Sequence, residues 1–352
     1  DRGGVFAALY GTLALLEPAD QSLVCGWLIN KFRGDPAVLR PGLESIRTLT
    51  GRPVLGVLPH IAGPWLDVED SLALDAGRGD PEPPLGPDGL QVAVVRLPRM
   101  SNFTDVDALA CEPGVAVAFT ESPAEVAHAD LAVVPGTRAT AADLAYVRSG
   151  GIAAALADRA RRGAPVLGIC GGYQLLGRSI VDDVEGRVGR IDGLGLLPID
   201  TVFAAEKVLA RPRGTSPPFG GAPAAGYEIH HGRTSVHGGV PLLRAADGSA
   251  EGCLHGAVLG TCWHGLLEGD GFRRALLSWV ADRRGRRYRP GRRGFAAVRE
   301  GRLEALGDLV EQHADLDALA GLIEAGAPPG LPVIPPGDVA AAGGSVLTGA
   351  RS

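Results

Sequence analysis

Pro165-Val-Leu-Gly-Ile-Cys170-Gly-Gly-Tyr-Gln-Leu-Leu176 is the stretch whose reading decides the fold. Val166–Ile169 is a short apolar run of strand type, and a helical apolar pattern follows the glycine pair at once. Gly168-x-Cys170-x-Gly172 therefore sets a cysteine on a sharp strand-to-helix turn, the cysteine counterpart of a nucleophile elbow. Such a turn crowds its neighbours, so side chains at 168 and 172 would clash. At a helix N-terminus the dipole and the free N–H groups favour thiolate over thiol. The Gly171 N–H then points to where a tetrahedral oxyanion would form. The rival reading is a small buried cysteine in a glycine-rich turn, but strand, turn and helix agree on the nucleophile.

The same alternation extends on both sides of the elbow. Strands are expected at Gln91–Leu97, Val115–Phe119, Leu131–Val134 and Val166–Ile169, with helices around Ala141–Val147 and Ile152–Arg162. Short apolar runs alternating with helices imply an α/β fold. Its mostly parallel sheet is covered on both faces, and its site lies at the carboxyl ends of the strands. Further strands are expected at Gly195–Val202, Tyr227–His230 and Val258–Trp263, and helices from Gly269 to Asp282 and from Leu303 to Ile323. Upstream, a strand at Leu23–Ile29, a helix at Val38–Leu49 and a strand at Pro53–Leu58 read as a βαβ unit ending another α/β domain. Between them, Asp75–Gly89 (DAGRGDPEPPLGPDG) has too few apolar groups to pack. The expected organisation is 1–74 as the end of one domain, 75–89 as linker, 90–282 as the main domain, 283–325 as a helical extension and 326–352 as a disordered tail.

Composition narrows the function. With 352 residues, 45% apolar and 21% charged, the chain reads as two domains of an ordinary globular enzyme. The longest apolar run, Val5–Leu16, is interrupted and too short to span a bilayer, so no membrane partner is expected. A net charge of −6 argues against nucleic acid. The basic cluster Arg283, Arg284, Arg286, Arg287, Arg289, Arg292 and Arg293 reads as a solvated helix end and loop, or else as a docking patch. Five scattered cysteines without C-x-x-C spacing fit free thiols in a reducing cytoplasm, and no metal site is expected. The sequence starts at Asp1 with no initiator methionine and no leader, which reads as a start inside a longer polypeptide.

A thiolate nucleophile needs a base to protonate its leaving amine. Of eight histidines, His264 is the best placed, because Leu259-Gly-Thr-Cys-Trp-His264-Gly ends an apolar strand with a histidine. Leu131-Ala-Val-Val-Pro-Gly136-Thr137 is a third strand end, whose Gly136 N–H is a second oxyanion donor in this reading. Any strand can end in Pro-Gly, and only the order of the three segments adds weight.

In that order, Pro135-Gly136-Thr137, Gly168-Ile-Cys170-Gly-Gly-Tyr-Gln and His264 resemble the class I-like glutamine amidotransferases. More specifically, five further blocks are similar, in order, to segments of the cobyric acid synthase family. They are Asp1-Arg-Gly-Gly-Val-Phe-Ala, Gly56-Val-Leu-Pro, Pro98-Arg-Met-Ser-Asn-Phe-Thr-Asp105, Tyr227-Glu-Ile-His-His-Gly-Arg-Thr234 and Trp263-His-Gly-Leu-Leu-Glu268. The resemblance spans residues 1 to about 323. It implies that Cys170 attacks the side-chain amide of L-glutamine and that His264 protonates the departing ammonia, with no cofactor. It implies too that the ammonia passes to an ATP- and Mg²⁺-dependent P-loop domain of dethiobiotin-synthetase type, which activates corrinoid carboxylates. The acceptor is then adenosylcobyrinic acid a,c-diamide and the product cobyric acid.

Two features depart from the wider fold. Many relatives place a glutamate two residues after the histidine, where this chain has Leu266; a Cys–His dyad is the natural reading, with Glu268 as an alternative orienting carboxylate or a mere cap. The P-loop pattern G-x-x-x-x-G-K-[ST] cannot occur, since the only lysines are Lys31 and Lys207. The nucleotide site is thus expected mostly before Asp1, in a partner N-terminal domain. Arg99, Ser101, Asn102 and Asp105 are expected to bind substrate or to cap a helix. Glu228, His230 and Arg233 are expected to share a strand face toward substrate or the partner domain. The rival functions are the sister cobyrinic acid a,c-diamide synthases, amidotransferases of cell-wall precursors, cysteine hydrolases unrelated to ammonia transfer, and non-catalytic modules on this fold.

Overall fold

Residues 4–61 and 89–335 are described by a computed structural model, and they fall into two compact units. One unit combines the residues up to 61 with those from Arg302 onward, and the other runs from 89 to Gly301.

The first unit opens with helices α1 (Val5–Leu15) and α2 (Pro18–Gln21), then strand β1 (Trp27–Phe32), helix α3 (Pro36–Thr50) and strand β2 (Val54–Pro59). Pro36 pre-sets the helical φ of α3, and the Asp35 side chain accepts from Ala37 N at 2.8 Å. β1 and β2 pair in parallel, giving the expected βαβ unit. β1 begins later than the expected Leu23, because the Leu23 and Val24 N–H groups turn back onto the Asp20 and Gln21 carbonyls. Leu13, Trp27, Ile46 and Ile334 form this unit's small core. Residues 326–335, expected in the disordered tail, are tied down instead. Ile334 is buried and exchanges hydrogen bonds of 2.8 and 2.9 Å with the Gln21 side chain. The tail from 336 on and nearly all of the linker expected at 75–89 lie outside the described residues.

In the second unit the chain runs through β3 (Leu90–Val95), β4 (Met100–Ser101), β5 (Val115–Thr120), α4 (Pro123–His128), β6 (Leu131–Val134), β7 (Gly136–Thr137), α5 (Thr140–Ser149), α6 (Ile152–Arg161), β8 (Val166–Ile169) and α7 (Gly171–Leu175). Short strands follow: β9 (Ser179–Asp182), β10 (Gly189–Asp192), β11 (Ile199–Ala210), β12 (Arg213–Ser216), β13 (Ala222–Ala225), β14 (Glu228–Val236), β15 (Leu243–Ala245), β16 (Ala250–Glu251), β17 (Cys253–His255) and β18 (Val258–Thr261). Helix α8 (Asp270–Arg284) completes the layer. The central sheet has the order β17-β18-β8-β6-β3-β5 and is parallel except for the β17–β18 hairpin.

Period-two alternation explains how both faces are covered. Leu131 and Val133 of β6 belong to the core under α8, which supplies Phe272, Leu276 and Leu277. Ala132 and Val134 belong to the opposite core with Leu144, Leu156 and Leu175 from α5, α6 and α7. The strand expected at Gly195–Val202 is displaced to Ile199–Ala210. Leu194 and Leu196 donate instead to the Leu175 and Leu176 carbonyls, which the end of α7 leaves without helical partners. The helix expected over Leu303–Ile323 is two, α9 (Phe295–His313) and α10 (Leu316–Ala325). The break has a local cause: Asp315 caps α10 at Ala318 N (3.0 Å) while its own N–H goes to the Leu55 carbonyl.

Candidate active site

Four strand ends of the second unit converge. β8 and β18 lie side by side, with Ile169 opposite Thr261, and the Cys170 N–H donates to the Thr261 carbonyl at 2.8 Å. Cys170 has φ 49° and ψ −109°, a backbone conformation L-residues seldom adopt, as an elbow requires. The elbow needs its glycines: a Cβ at 168 would lie 2.8 Å from Tyr173 N, and one at 172 would collide with the Val134 carbonyl oxygen. The thiol is 7% exposed.

His264 follows β18 and is buried. An isolated antiparallel bridge fixes its backbone, with hydrogen bonds of 2.9 Å in both directions to Tyr227. The Tyr227 ring stacks on the imidazole at 5.3 Å between centroids, and Asn102 donates to the Tyr227 hydroxyl at 2.5 Å. The His264 Nδ1 meets Asp105 Oδ2 at 2.7 Å, and the other Asp105 oxygen accepts from Gly265 N at 2.7 Å. With Nδ1 so engaged, Nε2 is the imidazole nitrogen left to act on Cys170. Burial pushes the imidazole toward neutrality, but the hydrogen bond to Asp105, that carboxylate's negative charge and the neighbouring Cys170 outweigh it and hold its pKa up at about 10.

The carboxylate on His264 is therefore Asp105, not Glu268, and the expected two-residue arrangement is a line of three side chains. Asp105 lies in a short 3-10 turn after β4, where it was expected to bind substrate or cap a helix. Glu268 lines an open groove of about 860 Å³ together with Tyr227, Glu228 and Gly265. The other expected residues divide. Ser101 pairs with Gly136 across the β4–β7 ribbon. A Cβ at Gly136 would sit 3.1 Å from both the Ser101 Oγ and the imidazole Cε1. The Arg99 carbonyl accepts from Arg138 N at 3.0 Å, and the side chain is exposed. His230 meets Glu228 at 3.3 Å, as shared parity predicts. Arg233 has the opposite parity and does not share their face; its guanidinium, exposed, reaches the Glu206 carbonyl at 3.1 Å.

Thr137, Asp143 and Tyr227 went unremarked as site residues in the sequence. Asp143 carried a readable signal, since it shares a helix face with the buried Leu144 and Val147. Among the described residues, no group of three or more His, Cys, Asp or Glu side chains converges to hold a metal ion. The P-loop pattern G-x-x-x-x-G-K-[ST] cannot be drawn from the chain, because neither of its two lysines follows a glycine.

A buried cysteine, imidazole and carboxylate gathered at the ends of parallel strands have the chemistry for cysteine-dependent acyl transfer on an α/β sheet. Residues 91–272 match the CobB/CobQ-like glutamine amidotransferase domain, and the chain belongs to that family. Among curated proteins it is similar to the cobyric acid synthase of Rhodococcus jostii, 54% identical over 95% of this chain and 65% of that protein. It is similar too to the cobyric acid synthase of Streptomyces avermitilis, 55% identical over 96% of this chain and 66% of that protein. The cobyric acid synthase of Frankia casuarinae is 53% identical, over 96% and 68%. The chain thus spans about two thirds of the length of these relatives. Among solved structures, one titled PurLQS from Thermotoga maritima aligns with 55% of this chain and 99% of its own at 19% identity and a TM-score of 0.43. No helix among the described residues is long and apolar enough to cross a membrane.

Proposed function

We propose that this chain hydrolyses L-glutamine and supplies the ammonia for ATP-dependent amidation of corrinoid side-chain carboxylates, converting adenosylcobyrinic acid a,c-diamide to cobyric acid. The observation that carries the first half is the Cys170–His264–Asp105 line. The names of relatives at more than half identity support the second half.

In this reading His264, whose pKa of about 10 keeps it protonated near neutral pH, holds the proton, and Cys170 adds to the glutamine δ-carbon as the thiolate. The oxyanion is stabilised by the Gly171 N–H in the first turn of α7, where N–H groups have no helical partner. The second donor is better assigned to Thr137 than to the expected Gly136. Arg138 N donates to Arg99 O, and antiparallel ladders alternate, so the Gly136 N–H is turned toward Ser101 and the Thr137 N–H away from it. The Thr137 nitrogen also lies against Gly171. Collapse of the tetrahedral species breaks the C–N bond, and the His264 proton leaves with ammonia. His264 then deprotonates a water that cleaves the γ-glutamyl thioester, releasing glutamate and restoring the thiol. Asp105 holds the imidazole in one tautomer throughout.

Acyl activation by ATP and Mg²⁺ is assigned to residues outside these 352, because no P-loop can be drawn from them. The test supplies glutamine to the purified chain and measures glutamate release; none from the wild type, at any pH, would refute the hydrolase reading. For the acceptor, a protein extended N-terminally to the length of its relatives is given ATP, Mg²⁺, glutamine and corrinoid acids. Amidation of the a,c-diamide supports the assignment, whereas amidation only of cobyrinic acid or of a cell-wall precursor would replace it.

A further inference from the structure

We infer that Asp143 is a positioning residue for the strand end that faces the nucleophile's helix, acting through the Thr137 hydroxyl; the inference rests on the hydrolase reading above. Thr137 is buried, and its Oγ1 is used twice. It donates to Asp143 Oδ2 at 2.5 Å and accepts from Ala139 N at 2.9 Å. The first contact ties β7 to α5, and the second closes the turn between them. With Arg138 N held by the Arg99 carbonyl, residues 137–139 are fixed at three points.

What this ribbon touches is the first turn of α7. A Cβ on Gly171 would stand 2.9 Å from the Thr137 nitrogen and 2.6 Å from its methyl. Thr137 therefore packs on the residue that follows Cys170, and any shift of its backbone moves an N–H relative to Gly171. Oxyanion stabilisation is sensitive to such shifts, since its donors must lie within about 3 Å of an atom that appears only during reaction.

The carboxylate itself needs explaining. Asp143 is 1% exposed, and its Oδ1 is buried with no hydrogen-bond partner among the described residues. A bare buried carboxylate oxygen is costly, and scaffolding alone could have been done by a neutral acceptor. A carboxylate makes a shorter and stronger bond to the hydroxyl than a neutral group would. Its place in the first turn of α5, where the helix dipole favours negative charge, offsets part of the cost.

The test compares Asp143→Ala, Asp143→Asn and Thr137→Val in the full 352-residue chain. Asp143→Ala is expected to lower kcat for glutamine hydrolysis by about 10–100-fold, part of the loss seen when an oxyanion donor is removed, with KM changed less than about 3-fold. Asp143→Asn, which keeps a weaker, neutral acceptor for Thr137, should recover only part of it. Adding Asp143→Ala to Thr137→Val should cost nothing further, because the valine already lacks the hydroxyl that the carboxylate holds. Alkylation of Cys170 by iodoacetamide, which forms no oxyanion, should stay within about 2-fold of wild type. Alkylation falling in step with hydrolysis, or wild-type kcat in Asp143→Ala, would overturn the inference. A wild-type chain that releases no glutamate would instead sink the hydrolase reading, and hydrogen exchange then decides this one. Amides 136–139 should lose protection in Asp143→Ala, and unchanged protection there overturns the inference.

Discussion

Two buried ionic clusters sit in the second unit, one at each end of the central sheet. At the carboxyl ends of the strands, Asp105 holds His264, whose pKa Cys170 also helps to raise. Near the amino end of β5, Glu112 is the hub of a larger set. It accepts from Arg273 at 2.8 and 3.0 Å, from Arg274 at 3.0 Å, from Tyr288 at 2.8 Å and from Gly291 N at 2.8 Å. Burial raises the Glu112 pKa, yet these donors together bring it below the usual carboxylate value. Such a carboxylate has no capacity left for chemistry and serves to bind segments 109–112, α8 and 288–291 to one another. The cluster at the other end is sparser: the His264 ring has Asp105 as its one carboxylate partner, and the Gly171 N–H has none within its helix. A saturated ionic hub is scaffold, and an unsaturated one is positioned to react.

The largest test of that contrast exchanges the two roles. Cys170→Ala should reduce glutamine hydrolysis by about 10⁴-fold or more while leaving the melting temperature nearly unchanged. Glu112→Ala should do the opposite. It leaves the 1%-exposed Arg273 with Asp270 and the Leu267 and Glu268 carbonyls but strips Arg273, Tyr288 and Gly291 of their shared acceptor, which costs about 1–3 kcal/mol by denaturant titration, while the folded fraction keeps its turnover. Loss of turnover per folded molecule in Glu112→Ala would mean that the two ends are coupled.

Asp105→Asn sharpens the comparison on its reactive side. Glutamine hydrolysis should fall by about 10²–10⁴-fold, as when an orienting carboxylate is lost from a histidine. Glu268→Gln should change it less than about 3-fold; a collapse there would establish Glu268 as a further catalytic carboxylate. The pH dependence follows from the imidazole. Its pKa is raised from 6.5 to about 10 in the folded chain, so its stabilisation is complete below about 6.5 and is lost as pH rises through about 10. The melting temperature of the wild type should decline over that window, and Asp105→Asn should flatten the decline. The alkaline limb of the hydrolysis profile should move toward neutrality in the same variant.

The smallest effect is expected at Glu251, which accepts from Thr261 Oγ1 and Cys262 N at 2.7 Å each, just ahead of His264. Burial raises its pKa to about 7. A raised carboxyl pKa means that folding favours the protonated form, so stability falls as pH rises from about 4.5 to 7. Glu251→Gln should remove that slope while altering turnover only slightly. An unaltered slope, read by thermal melts across pH 4–8, would exclude Glu251 as its source.

Much of this was legible in the residues. Leu131–Val134 and Val166–Ile169 were read to the residue because short β-rich apolar runs bounded by Pro and Gly have few other solutions. The elbow at Cys170 was readable because its glycines answer a purely local collision, with Tyr173 and Val134. What the sequence by itself determined is thus the sheet, the sharp turn that carries Cys170 and the strand that delivers His264. What only the tertiary structure decided is which distant groups reach them. Asp105 lies 159 residues from His264, in a 3-10 turn with no periodic signature. The glutamate nearer in sequence, Glu268, lines the neighbouring groove instead. Likewise, the phase of the β4–β7 ladder, which turns the Gly136 N–H toward Ser101 and the Thr137 N–H away, is fixed only when the ribbon pairs. Local sterics act between neighbours in sequence, so a sequence displays them; hydrogen bonds between strand ends depend on how separate strands are brought side by side, and no stretch of sequence carries that alone.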